Sequence, residues 1–596
     1  MTIRNAAEYF TRIVAVMLFF ILFSCKGYRD VTVGELRDHV KYLASDSLKG
    51  RMTGSAGDSL AAGYIKRELA SFGFIPLTGD GFQRFRVTSK LVAGPENFLS
   101  VDNKNFDPEK DFMPLAFSAN SGLIAEALFL GYGFNINNDS LKWNDYEGID
   151  VKDKWVMILR ADPETEKSDS PFIPFSADRG KALLAKDMGA AGVLFVSGTA
   201  YDSQDNFESL NSNDFPVDIP VLRIKREVAD IILSGTKQTI AGLEKKLNES
   251  GKPQSFPSMK NVSGKAEILK EMVTTRNVAM ILPGEDENLK NEYIIIGAHF
   301  DHLGMGGPGS SSRAVDTVGV HHGADDNASG VGMMLELAEK FAHTKGSHKR
   351  SIICVAFTGE ELGLLGSKYF ANNPGIDLSN VNAMINLDMV GRLQETNILQ
   401  ISGVGTAEGF RDLVYSESDT TIIKLTLSEE GYGPSDHTSF YGKNIPVLFY
   451  STGAHLDYHT PSDTYDKLNY KGMVNISSLI FNLTEKLASS PDRLKFREAG
   501  PKIEQGRPMR RKGVTLGIMP DFAGNVKNGL RADFVTPGKP AALGGMIKGD
   551  IITSINAKPV NNIQDYMFRM GQLKHGQTIS IEVLRDNKKM VLLIQL

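Results

Sequence analysis

Tyr293-Ile294-Ile295-Ile296-Gly297-Ala298-His299-Phe300-Asp301-His302 decides the fold of this chain. A short apolar run delivers a cluster of polar, proton-active side chains at its end. The pattern recurs twice: Ser351 to Phe357 leads into Thr358-Gly359-Glu360-Glu361, and Val381 to Leu387 leads into Asp388. Continuous apolar runs of this length, separated by helical periodicity, predict parallel strands covered on both faces. In open sheets of that class the working site lies beyond the carboxyl ends of the strands. The expectation is therefore an α/β domain with a mixed, mainly parallel sheet, helices on both faces, and His, Glu-Glu and Asp along one edge.

With 596 residues the chain is too long for a single core and should divide into several domains. Two cysteines exclude a disulfide framework, and Cys354 inside an apolar strand reads as a small hydrophobe. A formal net charge of −5 without a large basic block argues against nucleic acid as a partner. Residues 1–24 read as an export signal: Arg4 and Arg12 precede an apolar run from Ile13 to Phe23, too short to span a bilayer comfortably. Ser24-Cys25 then resembles a bacterial lipobox, which implies lipid on Cys25 and a membrane-anchored protein on the periplasmic side or cell surface. A plain secretory signal, with no role for Cys25, is the alternative.

Helical periodicity runs from Val33 through Leu43, and again from Ala61 to Phe72, before any sheet. Residues 115–265 change character, with short β-like runs (Ala125 to Leu130, Trp155 to Leu159, Val193 to Val196) and one helix from Gly180 to Met188. With Asp145 to Asp150 and the Gly189-Ala190-Ala191-Gly192 turn, this order resembles an inserted protease-associated domain. Such an insert leaves residues 30–114 and 266–487 as the central domain. Residues 488–512 read as a linker, and Arg507, Arg510, Arg511 and Lys512 as its solvated charges. Residues 513–596 resemble a PDZ domain of the bacterial protease-linked type. That resemblance implies peptide capture near Leu516, Gly517 and Ile518 by β-augmentation; a packing module without ligand is the alternative.

Two zinc ions a few ångströms apart need about five protein ligands, one of them a carboxylate touching both. His299, Asp326, Glu361, Asp388 and His459 supply such a set of imidazoles and carboxylates, a donor type that suits zinc. Singly, each has a plainer explanation as a hydrogen-bonded or solvated residue. Together, at strand and helix ends of one domain, they point to a metal centre. Glu360 stands beside Glu361, placed to move the proton of a metal-activated water, and Asp301 is placed to accept the second N–H of His299.

The segments Gly297 to Asp301, Ala324 to Gly330, Phe357 to Glu361, Asn386 to Asp388 and Tyr458 to Thr460, with the Leu43-to-Gly54 opening, resemble the co-catalytic zinc aminopeptidases, in the clan that also holds bacterial leucyl aminopeptidases and glutamate carboxypeptidase. The resemblance implies that His299 and Asp388 complete one zinc site, Glu361 and His459 the other, and that Asp326 bridges. It implies Glu360 as general base, Tyr458 as a stabiliser of the oxyanion, and peptides as substrates. Ser435-Asp436-His437 resembles a segment near the pocket and reads as structural or substrate-side, not as part of a serine triad. His321-His322, ending a Gly-rich loop from Gly304, read as a pocket rim or as solvated residues, not ligands. A glutaminyl cyclase using one zinc and a non-catalytic peptide-binding scaffold remain as rivals; the complete ligand set and Glu360 speak against both.

Overall fold

The run Tyr293–His299 is the central strand of the first of two units in the computed structural model, which describes residues 30–499 and 514–596 apart from 139–140, 168, 211–214, 308–309, 315, 521–525, 527 and 537. Cys25, the export signal and Arg507 to Lys512 lie outside the described residues. Tyr293–His299 is flanked on one side by Ser351–Phe357 and on the other by Val381–Leu387, both parallel to it. Because successive strands fall on opposite sides of Tyr293–His299, its carboxyl end is a topological switch point, where open sheets leave a crevice. Val447–Ser451 continues the sheet in parallel, and Ile398–Ser402 joins it antiparallel. On the far side Ile268–Leu282 runs antiparallel to Ser351–Phe357. The sheet is thus mixed and mainly parallel, as its unbroken apolar strands predict.

Helix Val33–Leu43 starts on the Thr32 side chain, which accepts from the Glu35 N–H, and Ala56–Ser71 starts on Ser55 in the same way. Their apolar faces (Leu36, Val40, Leu43, Ala61, Ile65, Leu69) join the same buried core as the sheet and the helix Gly330–His343. Cys354 is buried within that core, and burial pushes its thiol up, as befits a packed hydrophobe.

Two domain boundaries differ from the sequence expectation. Strands Phe98–Val101 and Phe112–Pro114 belong to the insert's sheet, so the insert begins near Thr88 rather than at 115. Strands of four and three residues are too short to show an apolar periodicity that assigns them to one sheet or the other. Residues 490–499 are no free linker: Phe496 pairs with Ala407, and the Tyr441 hydroxyl donates to the Ala499 carbonyl at 2.9 Å.

The second unit joins the insert (Thr88 to Met272) with the C-terminal domain. The insert's sheet has Gly122–Leu130, Trp155–Leu159, Gly192–Val196 and Val221–Ile224 running parallel at its centre. In the C-terminal domain, strands Ile518–Pro520, Leu530–Val535, Ile551–Ile555, Thr578–Arg585 and Lys588–Gln595 follow one another across an antiparallel sheet, with one long helix, Ile563–Gly571. Among the described residues no helix is long and apolar enough to cross a membrane.

Helix Ile563–Gly571 docks on the insert's helix Asp178–Asp187. Phe568 packs against the insert's core, where a Cβ on Gly180 would lie only 3.1 Å from its ring. Arg569 grips both oxygens of Asp187, and Arg179 donates to Asp565 at 2.7 Å. The Arg569 and Asp187 side chains are 3% and 8% exposed, so losing either partner strands a desolvated charge. Arg569→Ala or Asp187→Ala is expected to destabilise this unit by about 3 kcal/mol. A double-mutant cycle in urea should return a coupling above about 1 kcal/mol, and additive effects would show that the pair is not formed in solution.

Candidate metal centre

Strand register fixes the site. His299 ends the central strand opposite Phe357, three and four residues before Glu360 and Glu361, while Asp388 follows Leu387 on the other neighbour. Asp326 arrives from Ala324–Ser329, the irregular turn that enters Gly330–His343, and the Asp326–Asn327 peptide is cis. Asn327 ties this turn to the third strand: its side chain donates to Leu387 O at 2.9 Å and accepts from Met389 N at 3.2 Å. Asp326 and Asp388 are thereby held in one frame.

The carboxylate of Asp326 faces two ways. Oδ1 lies 3.3 Å from His299 Nε2, which is 3.4 Å from Asp388 Oδ1. Oδ2 lies 3.2 Å from His459 Nε2, which is 3.2 Å from Glu361 Oε2. Two pairs, His299 with Asp388 and His459 with Glu361, thus share one carboxylate between them. Asp325 points elsewhere: it accepts from Gly391 N at 2.6 Å and faces His455 Nε2 at 3.3 Å.

Burial would raise Asp326, yet His299, His302 and His459 hold its carboxyl well below the usual range. Glu360 goes the other way, pushed well above its usual range by withdrawal from water and by Glu361, Asp388 and Asp436. Asp326 Oδ2 and Asp388 Oδ1 are buried without a hydrogen-bond partner. Buried carboxylate oxygens left orphaned beside imidazoles fit divalent metal binding, with His299, Glu360 and Asp388 converging in one group and His302, Asp326 and Glu361 in another.

Three residues behave differently from the sequence expectation. His299 Nδ1 lies 3.3 Å from the backbone carbonyl of Asp301 and 3.7 Å from its carboxylate, so the main chain is the nearer acceptor. The Asp301 carboxylate instead accepts from Thr53 Oγ1 at 2.8 Å and from Glu360 N at 3.1 Å, fixing the backbone of Glu360. His321 is fully buried, with Nε2 2.7 Å from Ser312 Oγ, so it is neither solvated nor a rim residue; it braces the Gly-rich loop from inside. His302, part of the polar cluster at the strand end but outside the expected ligand set, joins the site. Its Nδ1 lies 2.8 Å from Glu361 Oε1 and 3.7 Å from Asp326 Oδ2, and its Nε2 is buried without a partner. The signal was present, since His302 is three residues beyond His299 on the turn that ends the strand.

Tyr458 lays its ring on the His459 imidazole, with centroids 3.8 Å apart. Ser435 accepts from Asn386 Nδ2 at 2.8 Å, while His437 is buried against the Phe449 ring and neither of its nitrogens has a hydrogen-bond partner. No Ser–His pair forms there, so the segment is not a serine triad.

Residues 277–484 match the family model "Peptidase family M28", residues 91–232 the PA domain and residues 516–596 the PDZ domain. The chain is 30% identical over 186 residues to a "Probable zinc metalloprotease" of Pyrenophora tritici-repentis, covering 28% of this chain and 41% of that protein. It is 29% identical over 233 residues to a "Probable leucine aminopeptidase" of Arthroderma otae, covering 38% of this chain and 61% of that protein. It thus spans less than two thirds of the length of these relatives. A solved zinc aminopeptidase from Bacillus subtilis aligns at a TM-score of 0.46 and 21% identity, over 78% of this chain and 97% of that one.

Because His302 Nδ1 meets Glu361 Oε1 at 2.8 Å, His302→Ala is expected to weaken metal binding by about 10- to 100-fold. Competition with a chromophoric chelator measures this; an unchanged dissociation constant would remove His302 from the site.

Proposed function

With a peptidase family M28 domain at residues 277–484, we propose that the chain is an exported zinc exopeptidase, an aminopeptidase holding two zinc ions and hydrolysing peptide bonds. One observation carries this: Asp326 turns one oxygen to the His299–Asp388 pair and the other to the His459–Glu361 pair. These five residues would hold the two ions, with His302 beside Glu361. Two zinc ions bound there would acidify water and polarise the scissile carbonyl.

The protein's own groups account for the rest. Glu360, its backbone N–H held by the Asp301 carboxylate, is suited to accept a proton and return it to the leaving amine. The Tyr458 hydroxyl is the candidate donor to the oxyanion, its ring held by stacking on His459. Peptides are the substrates in this reading. The PDZ domain would take a peptide end near Leu516, Gly517 and Ile518.

Metal content and turnover test the proposal together. Two zinc ions per chain and release of free N-terminal residues from a peptide panel are expected. Glu360→Ala should lose about 10²- to 10⁴-fold in kcat while keeping its zinc. Cleavage restricted to N-blocked peptides would move the specificity to the carboxypeptidase type, and absence of both metal and turnover would leave a peptide-binding scaffold.

We propose further that residues 1–24 are removed and that Cys25 carries the lipid, which places the enzyme on the outer side of a membrane. Palmitate labelling in a bacterial host should be lost with Cys25→Ala, and labelling that survives the substitution would refute the anchor.

A further inference from the structure

Arg51 lies far from the catalytic motifs in sequence, yet its guanidinium reaches two of them. The side chain is 1% exposed. Nε donates to Phe300 O at 2.7 Å, between His299 and Asp301. The terminal nitrogens donate to His322 O at 2.7 Å, to Gly323 O at 2.9 Å, and to Leu43 O at the end of helix Val33–Leu43. The Arg51 carbonyl accepts from His302 N at 3.2 Å, and the Gly50 carbonyl from Gly304 N at 3.0 Å. One residue therefore holds both feet of the Gly-rich loop, its start after His302 and its end at His322-Gly323, just before Asp325-Asp326.

The backbone is bent to make this possible. Lys49, Gly50 and Arg51 all have positive φ, at 45°, 69° and 47°. A Cβ on Gly50 would lie 2.3 Å from Gly304 O and 2.7 Å from His321 O. Non-glycine residues persist in that region when the surrounding contacts fix them, and such residues cluster at functional sites. Burial lowers the guanidinium to about 10, against Asp326, Asp301, Asp463 and Glu361, which favour its charge. It stays cationic at neutral pH beside the acidic cluster, while the four hydrogen bonds of its side chain all go to carbonyls.

We infer that Arg51 is a positioning residue of the metal centre: by clamping the two feet of the 303–322 loop it sets His299 and Asp326 at the separation that metal binding requires. The inference rests on the metal-centre reading above. It differs from a general stabilising role because two of the clamped carbonyls, Phe300 O and Gly323 O, lie one residue from His299 and three residues from Asp326.

The test uses the full chain and zinc itself, titrated against a chromophoric chelator, with thermal unfolding of each metal-free protein. Arg51→Lys and Arg51→Gln are compared with Leu483→Ala, a cavity variant in the fully buried core of the same unit. Both Arg51 variants should weaken zinc binding by about 10-fold or more and shift the visible spectrum of the cobalt-substituted protein. Leu483→Ala should lower the unfolding temperature with zinc affinity unchanged. Arg51→Lys, which keeps the charge and some donors, decides the matter if Arg51→Gln does not fold. Zinc affinity and cobalt spectrum unchanged in Arg51→Lys would overturn the inference. A wild-type chain that takes up no zinc would instead overturn the metal-centre reading, and the inference with it.

Discussion

Acidic side chains crowded at the edge of one sheet set the terms for the rest of the central domain. Asp326, Glu360, Glu361 and Asp388 converge where water is scarce, and like charges at such range repel strongly. The surrounding structure answers with polarity arranged in advance. Asp463 accepts the amides of Asp325 and Asp326, at 2.8 and 3.1 Å, and Arg392 holds Asp463 in turn at 3.1 Å. Thr53 and the Glu360 amide take up Asp301, leaving the Asp301 main chain near His299. Arg51 adds a cation that binds only carbonyls with its side chain. What remains unmatched, chiefly Asp326 Oδ2 and Asp388 Oδ1, is what metal ions would satisfy.

The same constraint explains why so short an N-terminal segment matters. Helices Val33–Leu43 and Ala56–Ser71 bury apolar faces in the central core, an ordinary packing role. The turn between them carries Arg51 and Thr53, and Asp58 stands in the first turn of the second helix. Asp58 accepts from Thr358 at 2.6 Å and from Thr275 at 2.7 Å, which fixes the backbone just ahead of Glu360. Packing and catalytic geometry are thus served by neighbouring residues of one segment.

In the second unit the balance is different. The contact between the insert and the C-terminal domain combines one aromatic anchor, Phe568, with two ion pairs largely withdrawn from water. Anchors of this kind give an interface its specificity, because a mismatched partner would leave a charge buried alone. The C-terminal domain is therefore held by its helix, with the Leu516-Gly517-Ile518 segment on a separate element of the domain.

By itself the sequence determined the α/β class, the three strands and the polar residues at their ends. Unbroken apolar runs cannot be satisfied except by burial on both faces, and a strand's last residue is local information. Tertiary structure alone decided what depends on partners far along the chain. Arg51 lies 249 residues from the Phe300 carbonyl it binds, and Arg569 lies 382 residues from Asp187. His302 and His321 differ only in what surrounds them, one beside Glu361 and the other closed in with Ser312. Periodicity and motif spacing record which face a residue takes, but a hydrogen bond is settled by where two distant segments meet, and that is fixed only when the core closes.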